Sequence, residues 1–177
     1  IAVADILNSF PADTDADLFA YYLSGIAHFY GGSYAAATED FTRLLGSKQG
    51  WLTETAQYML MRTALNKSSQ NSVGQYGDFD IARINREDAL LAQKEALTYL
   101  QHWPDGLYAN SARGMLRRIN WYLQAWPQLA GLYEQAFQQA TDAQELRQLV
   151  SEYDNVFGMP FYNQPVQVAF PDAPEIS

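Results

Sequence analysis

Helical periodicity runs through almost the whole chain and is broken at short intervals by turn-forming residues, and no other feature restricts the fold as much. Apolar residues recur at the spacing of one helix face over Ala16 to Tyr30, Tyr34 to Leu45, Leu52 to Lys67, Glu87 to His102, Tyr108 to Gln124, and Gln128 to about Tyr153 with a break near Thr141. Gly31-Gly32, Gly46 to Gly50, Pro104-Asp105-Gly106, Trp126-Pro127 and Thr141-Asp142 each stand where one segment hands over to the next. Short amphipathic helices gain most of their stability by packing their apolar faces together. The pattern therefore predicts an all-α fold of about three antiparallel helical hairpins, with a shorter apolar segment, Val3 to Phe10, ahead of them as the tail of an earlier helix.

Two stretches depart from it. Ser68 to Asn85 holds Asn71, Gly74 and Gly77 with two aromatics, Tyr76 and Phe79, and is too long for a tight hairpin turn. Gly158 to Ser177 carries Pro160, Pro165, Pro171 and Pro174, so it is expected to run extended, as a linker or a strap. These features divide the chain into a helical domain over 1–157 and an extended C-terminal segment over 158–177.

Hydrophobic residues make up 48% of the 177 residues and aromatics 14%, enough for a packed core rather than a disordered chain. Eleven Lys and Arg against 20 Asp and Glu leave a formal charge of −9, which repels phosphate backbones and anionic headgroups. Nucleic acid and membrane surfaces are thus excluded as expected partners. No apolar run approaches the roughly 18 residues of a membrane span, so no insertion is expected. There is no cysteine, which removes disulfides, thiolate metal sites and a Cys nucleophile. A start at Ile1 rather than Met, and a stop at Ser177 inside a Pro-rich stretch, suggest a processed protein or a piece of a longer one.

Within Leu18 to Leu45, Gly25 is followed twelve residues later by Ala37 and sixteen later by Phe41, with Ala27, Gly32 and Tyr34 between and Tyr21 four residues before Gly25. Small residues at Gly25 and Ala37 let two antiparallel helices approach closely, while Tyr21, Tyr34 and Phe41 fill the space around the contact. This pattern resembles the tetratricopeptide repeat. Ser24 and His28 depart from it, standing where the family has Leu and an aromatic, and the closing Pro is absent near Gln49. A degenerate offset match covers Ala92 to about Ala136, through Ala92, Ala96, Leu100, Pro104, Ala112 and Gly114. Leu52 to Lys67 lies at the expected 34-residue offset but lacks the Gly. The run Trp103-Pro104-Asp105-Gly106-Leu107-Tyr108-Ala109 is similar to the hinge between repeats in bacterial cell-envelope proteins of this family. Over residues 16 to 140 the resemblance implies an α-α superhelix acting as a protein-protein interaction scaffold, in the bacterial periplasm or cell envelope. The alternative it implies is a helical accessory domain of a larger envelope enzyme, such as a cell-wall lytic enzyme.

Residues able to do chemistry are few. His28 and His102 have no partner at metal-ligand spacing, which favours a core or helix-end role, and no Gly-rich phosphate loop follows a strand. The acidic pairs Glu39-Asp40 and Glu87-Asp88 lie on amphipathic helices, where a solvated face is the default. No catalysis and no cofactor are expected. For binding, the resemblance makes the first helix of each pair the groove-lining one, which in the best repeat points to Phe19, Tyr22, Ile26, Phe29 and Tyr30. Tyr22, Ile26 and Phe29 are the candidate contacts, unless Val3 to Phe10 or the tail around Phe161, Tyr162 and Phe170 already covers them. Arg113, Arg117 and Arg118 form the one basic cluster, to clamp a partner carboxylate or to pair with an acidic neighbour such as Glu134.

Overall fold

α1 (Asp15–Tyr30) and α2 (Tyr34–Leu44) form the first hairpin of the computed structural model, which describes residues 15–158 apart from residue 76. α1 ends in a Schellman motif. Gly32 takes a positive φ of 74°, its N–H donates to Phe29 O, and the Ser33 N–H reaches back to His28 O at 2.9 Å. Partners then run in opposite order along the two helices, Tyr21 with Arg43, Gly25 with Phe41 and His28 with Asp40, so the pair is antiparallel. Ala37, Phe41 and Leu44 are fully buried in the contact.

α3 (Gly50–Ser69) and α4 (Arg86–His102) form the second hairpin, joined by the long insert. Glu54 meets Tyr99, Gln57 meets Glu95 and Lys67 meets Asp88, again in antiparallel order. Asn85 caps α4 by accepting from the Asp88 N–H, and Glu87 and Asp88 place negative charge in its first turn. α3 is buried nearly all round, because α2, α4 and the neighbouring first helices surround it.

The insert is ordered by its own backbone. Gly74 N donates to Asp78 O, Asp80 N to Ser72 O and Asn85 N to Ser68 O, and Gly77 takes a φ of 81°. A short 3₁₀ turn, Ile81–Arg83, completes it, and Phe79 stacks on Trp121 and Tyr122 at the end of α5 (Ala109–Tyr122).

The hinge between α4 and α5 is tied to α3. Glu54 Oε1 accepts from Tyr99 Oη and from the Leu107 N–H, both at 2.6 Å, and Tyr99 Oη accepts in turn from the Tyr108 N–H. A Cβ at Gly106 would stand on Glu54 Oε1 and Tyr99 Oη, so only glycine leaves room for the knot. Burial, and then the bond to the Glu54 carboxylate, push the Tyr99 phenol far above its usual range. α5 packs on α4, and Ala92 and Ala96 of α4 and Ala112 of α5 are fully buried.

The chain divides into two compact units after Leu123, and Gln124 at the boundary has a φ of 53°. The second unit holds α6 (Trp126–Gln139), α7 (Ala143–Tyr153) and a π-helical turn, Asp154–Gly158. Pro127 sits in the first turn of α6, and Asp142 caps α7 by accepting from the Gln144 and Glu145 N–H groups. Tyr133, Phe137, Tyr153 and Phe157 cluster between the two helices. The third hairpin is therefore α6 with α7, divided at the break expected near Thr141, where the three-pair reading had set Tyr108–Gln124 against the stretch from Gln128 to Tyr153. The expected Val3 to Phe10 segment lies outside the described residues, as does the extended stretch over 158–177 apart from Gly158, which ends the π-helical turn.

Candidate functional site

α1 and α3 meet along an aromatic seam. Phe19 stacks on Tyr22 with ring centroids 6.0 Å apart, and Tyr22 meets Trp51 edge-on at 6.0 Å. Phe19 and Trp51 keep about half their surface in water (50% and 52% exposed), so the rim of the seam is open. Deeper in, the Arg62 guanidinium lies 4.9 Å from the Phe29 ring and 5.7 Å from the Tyr58 ring. Tyr58 stacks face to face on Tyr108 at 4.2 Å and its hydroxyl bonds Ser111 Oγ at 2.8 Å, which carries the band on to α5. Residues 51, 55, 58 and 62 share one face of α3 at intervals of three and four, and that face joins the aromatics of the neighbouring helices.

The candidate contacts divide between rim and interior. Tyr22 and Ile26 are half-buried on α1, Tyr22 inside the seam. Phe29 is only 4% exposed, so it does not present itself to a partner: Arg62 covers one face of its ring and Tyr30 and Tyr34 pack on its edges. Trp51, Tyr58, Arg62 and Tyr108 were missed by the sequence reading. Their signal was the Trp51-Thr55-Tyr58-Arg62 spacing, hidden because polar Thr55, Gln57, Thr63 and Ser68 are buried on α3 beside its apolar residues, so burial does not follow the apolar face.

Arg113, Arg117 and Arg118 do share α5. Arg113 donates to Pro104 O at 2.6 Å and to Asn110 Oδ1 at 3.0 Å, which closes the hinge. Arg118 donates to Tyr122 Oη and lies over that ring. Both therefore have local partners on their own side of the fold. No protein-family model matches this chain, and searches of curated proteins and of solved structures return no match. The site is thus read from its own geometry.

One member of each acidic pair departs from the solvated face expected of it, while Glu39 and Glu87 are exposed. Asp40 is buried and Asp88 is buried, each by a partner on the adjoining helix. Asp40 Oδ2 accepts from Ser24 Oγ at 2.7 Å and lies 2.8 Å from His28 Nδ1. Ser24 and His28, the two departures from the repeat pattern, thus clasp α1 to α2. A hydrolytic triad needs the serine to donate to one imidazole nitrogen while the carboxylate holds the other. Here the serine donates to the carboxylate itself, and the same His28 Nδ1 faces both groups. The cluster is built as a clasp rather than as a nucleophile. Among the described residues no group of three His, Asp or Glu is placed to hold a metal ion, and no helix is long and apolar enough to cross a membrane.

Proposed function

We propose that this chain is a protein-protein interaction scaffold of the tetratricopeptide kind, which takes a partner segment along the α1/α3 seam. The observation that carries the reading is the half-exposed pair Phe19 and Trp51, bridged by Tyr22, on the first helices of two successive hairpins. Large aromatics held rigidly by neighbours while keeping a free face are the residues that dominate protein interfaces. Arg62 suits an acceptor on the same partner: among the described residues it pairs with no carboxylate, and its one hydrogen-bond contact is the Met59 sulfur at 3.8 Å. The partner that fits is a segment with an apolar or aromatic anchor beside an acidic or carbonyl group. A periplasmic or cell-envelope setting goes with the hinge around Pro104 and belongs to the same proposal.

Immobilised wild-type protein and a Tyr22→Ser, Trp51→Ser variant, matched for helicity by circular dichroism, are compared for capture of partners from the source cell's extract. Leu146→Ser, in the second unit, serves as the control. The reading expects a specific partner that the control retains and the seam variant loses by about tenfold or more, the effect of removing a hot-spot aromatic. Equal retention by all three proteins would remove the seam as the binding surface.

A further inference from the structure

α4 turns one side to α3 and another to α5. Asp88, Glu95 and Tyr99 meet α3, Gln93 meets Asn120 of α5, and Ala89, Ala92 and Ala96 are fully buried. The remaining side is open. Glu87, Leu90, Leu91, Lys94 and Leu97 are exposed along it at i, i+3, i+4, i+7 and i+10, and the three leucines keep 47%, 39% and 53% of their surface in water. Its two charges are not matched within the helix. Glu87 joins no ion pair among the described residues, and Lys94 comes only within 4.0 Å of Glu95, whose carboxylate Gln57 already holds. Glu87 and Lys94 stand two turns apart, about 10 Å along the axis, beyond the i, i+4 reach of a pair on one helix.

We infer that this face pairs with the same face of a second copy, in a two-fold antiparallel helix contact. An axis midway between residues 90 and 91 sets Glu87 of each copy opposite Lys94 of its partner, because the two lie equally far from that point. Leu90 and Leu91 stand about 50° to either side of the line from Glu87 to Lys94, so each meets its own counterpart across the axis. The pattern Glu-Leu-Leu-Lys at i, i+3, i+4 and i+7 is thus complementary to itself when reversed, and reversal is what an isologous contact requires. A parallel alignment would instead set Glu87 on Glu87 and Lys94 on Lys94. The chain carries a formal charge of −9, so two copies repel in most orientations. On this face one negative and one positive charge balance, and the reversed pairing turns them to attraction. An unrelated partner has no need of a pattern that complements itself. One helix face is at the small end of protein interfaces, so the dimer is a weak one, with a dissociation constant of about 1–100 μM. The face shares no residue with the α1/α3 seam, so neither reading rests on the other.

Sedimentation velocity of the full chain, from about 1 μM to about 200 μM, is expected to show the 20.0 kDa species converting to one of twice that mass. Glu87→Lys alone and Lys94→Glu alone each set like charges opposite each other at both ends, and each is expected to weaken the dimer by about tenfold or more. An equimolar mixture of those two variants sets opposite charges at both ends, and so does the double variant Glu87→Lys, Lys94→Glu. Both are expected to recover association to within about threefold of the wild type. Glu87 and Lys94 are exposed, so helicity by circular dichroism is expected to stay unchanged in every variant. A monomer throughout the range would overturn the inference and leave the face to another partner. A dimer that neither single reversal weakens, or single variants that fail to associate on mixing, would overturn it as well.

Discussion

Gly25 shows how one absent atom sets a helix contact. A Cβ built there would stand 2.7 Å from Phe41 Cε1 and 2.9 Å from Cζ, closer than packed carbons come, and Phe41 is fully buried and cannot step aside. Gly25→Leu is expected to lower stability by about 1–3 kcal/mol through overpacking, read as an earlier midpoint in urea unfolding. An unchanged midpoint would mean that the hairpin does not depend on this approach. Ser24 and His28 act at the same scale in the opposite sense. They put polar groups where the repeat pattern has apolar ones, and Asp40 satisfies both from α2, so a polar clasp replaces part of an apolar contact.

Among the elements, the connection between α4 and α5 depends most on one side chain from elsewhere, Glu54 of α3. The Tyr99 phenol is fully buried, and its pKa lies well above the ordinary tyrosine value of about 10. The unfolded chain loses this proton near pH 10, while the folded chain keeps it to higher pH. The contribution to stability is therefore complete below about pH 10 and is lost as pH rises through the folded value. Urea midpoints measured from about pH 9 to about pH 11 are expected to fall more steeply for the wild type than for Tyr99→Phe. Parallel slopes would remove the Glu54–Tyr99 bond from the account. The insert is an element in its own right, because Phe79 anchors it on Trp121 and Tyr122 and its backbone bonds close a loop from Ser72 to Asp80.

At the scale of the whole molecule, the break after Leu123 separates two sets of helices, each with its own core. The first contains both complete hairpins described before it, α5, and the Arg86 Nη1 bond to Leu123 O that closes its last turn. A fragment of residues 1–123 is expected to keep its helical circular dichroism and a single cooperative unfolding transition. A fragment that loses both would show that the second unit is needed for the first to fold.

The seven described helices were legible in the sequence to within about two residues at most of their ends, because period and punctuation are local properties. Gly25, Ala37 and Phe41 were legible as a contact for the same reason: their spacing fixes which residues face each other once two helices lie antiparallel. What the tertiary structure decided was which neighbours those helices found. It paired α6 with α7, buried Asp40 and Asp88, withdrew Phe29 beneath Arg62, and gave Arg113 and Arg118 partners on their own helix or hinge. The aromatic seam was legible only in its α1 half. Its α3 half lies on a helix surrounded by others, where polar and apolar residues alike are buried, and only packing shows which of them reach the surface.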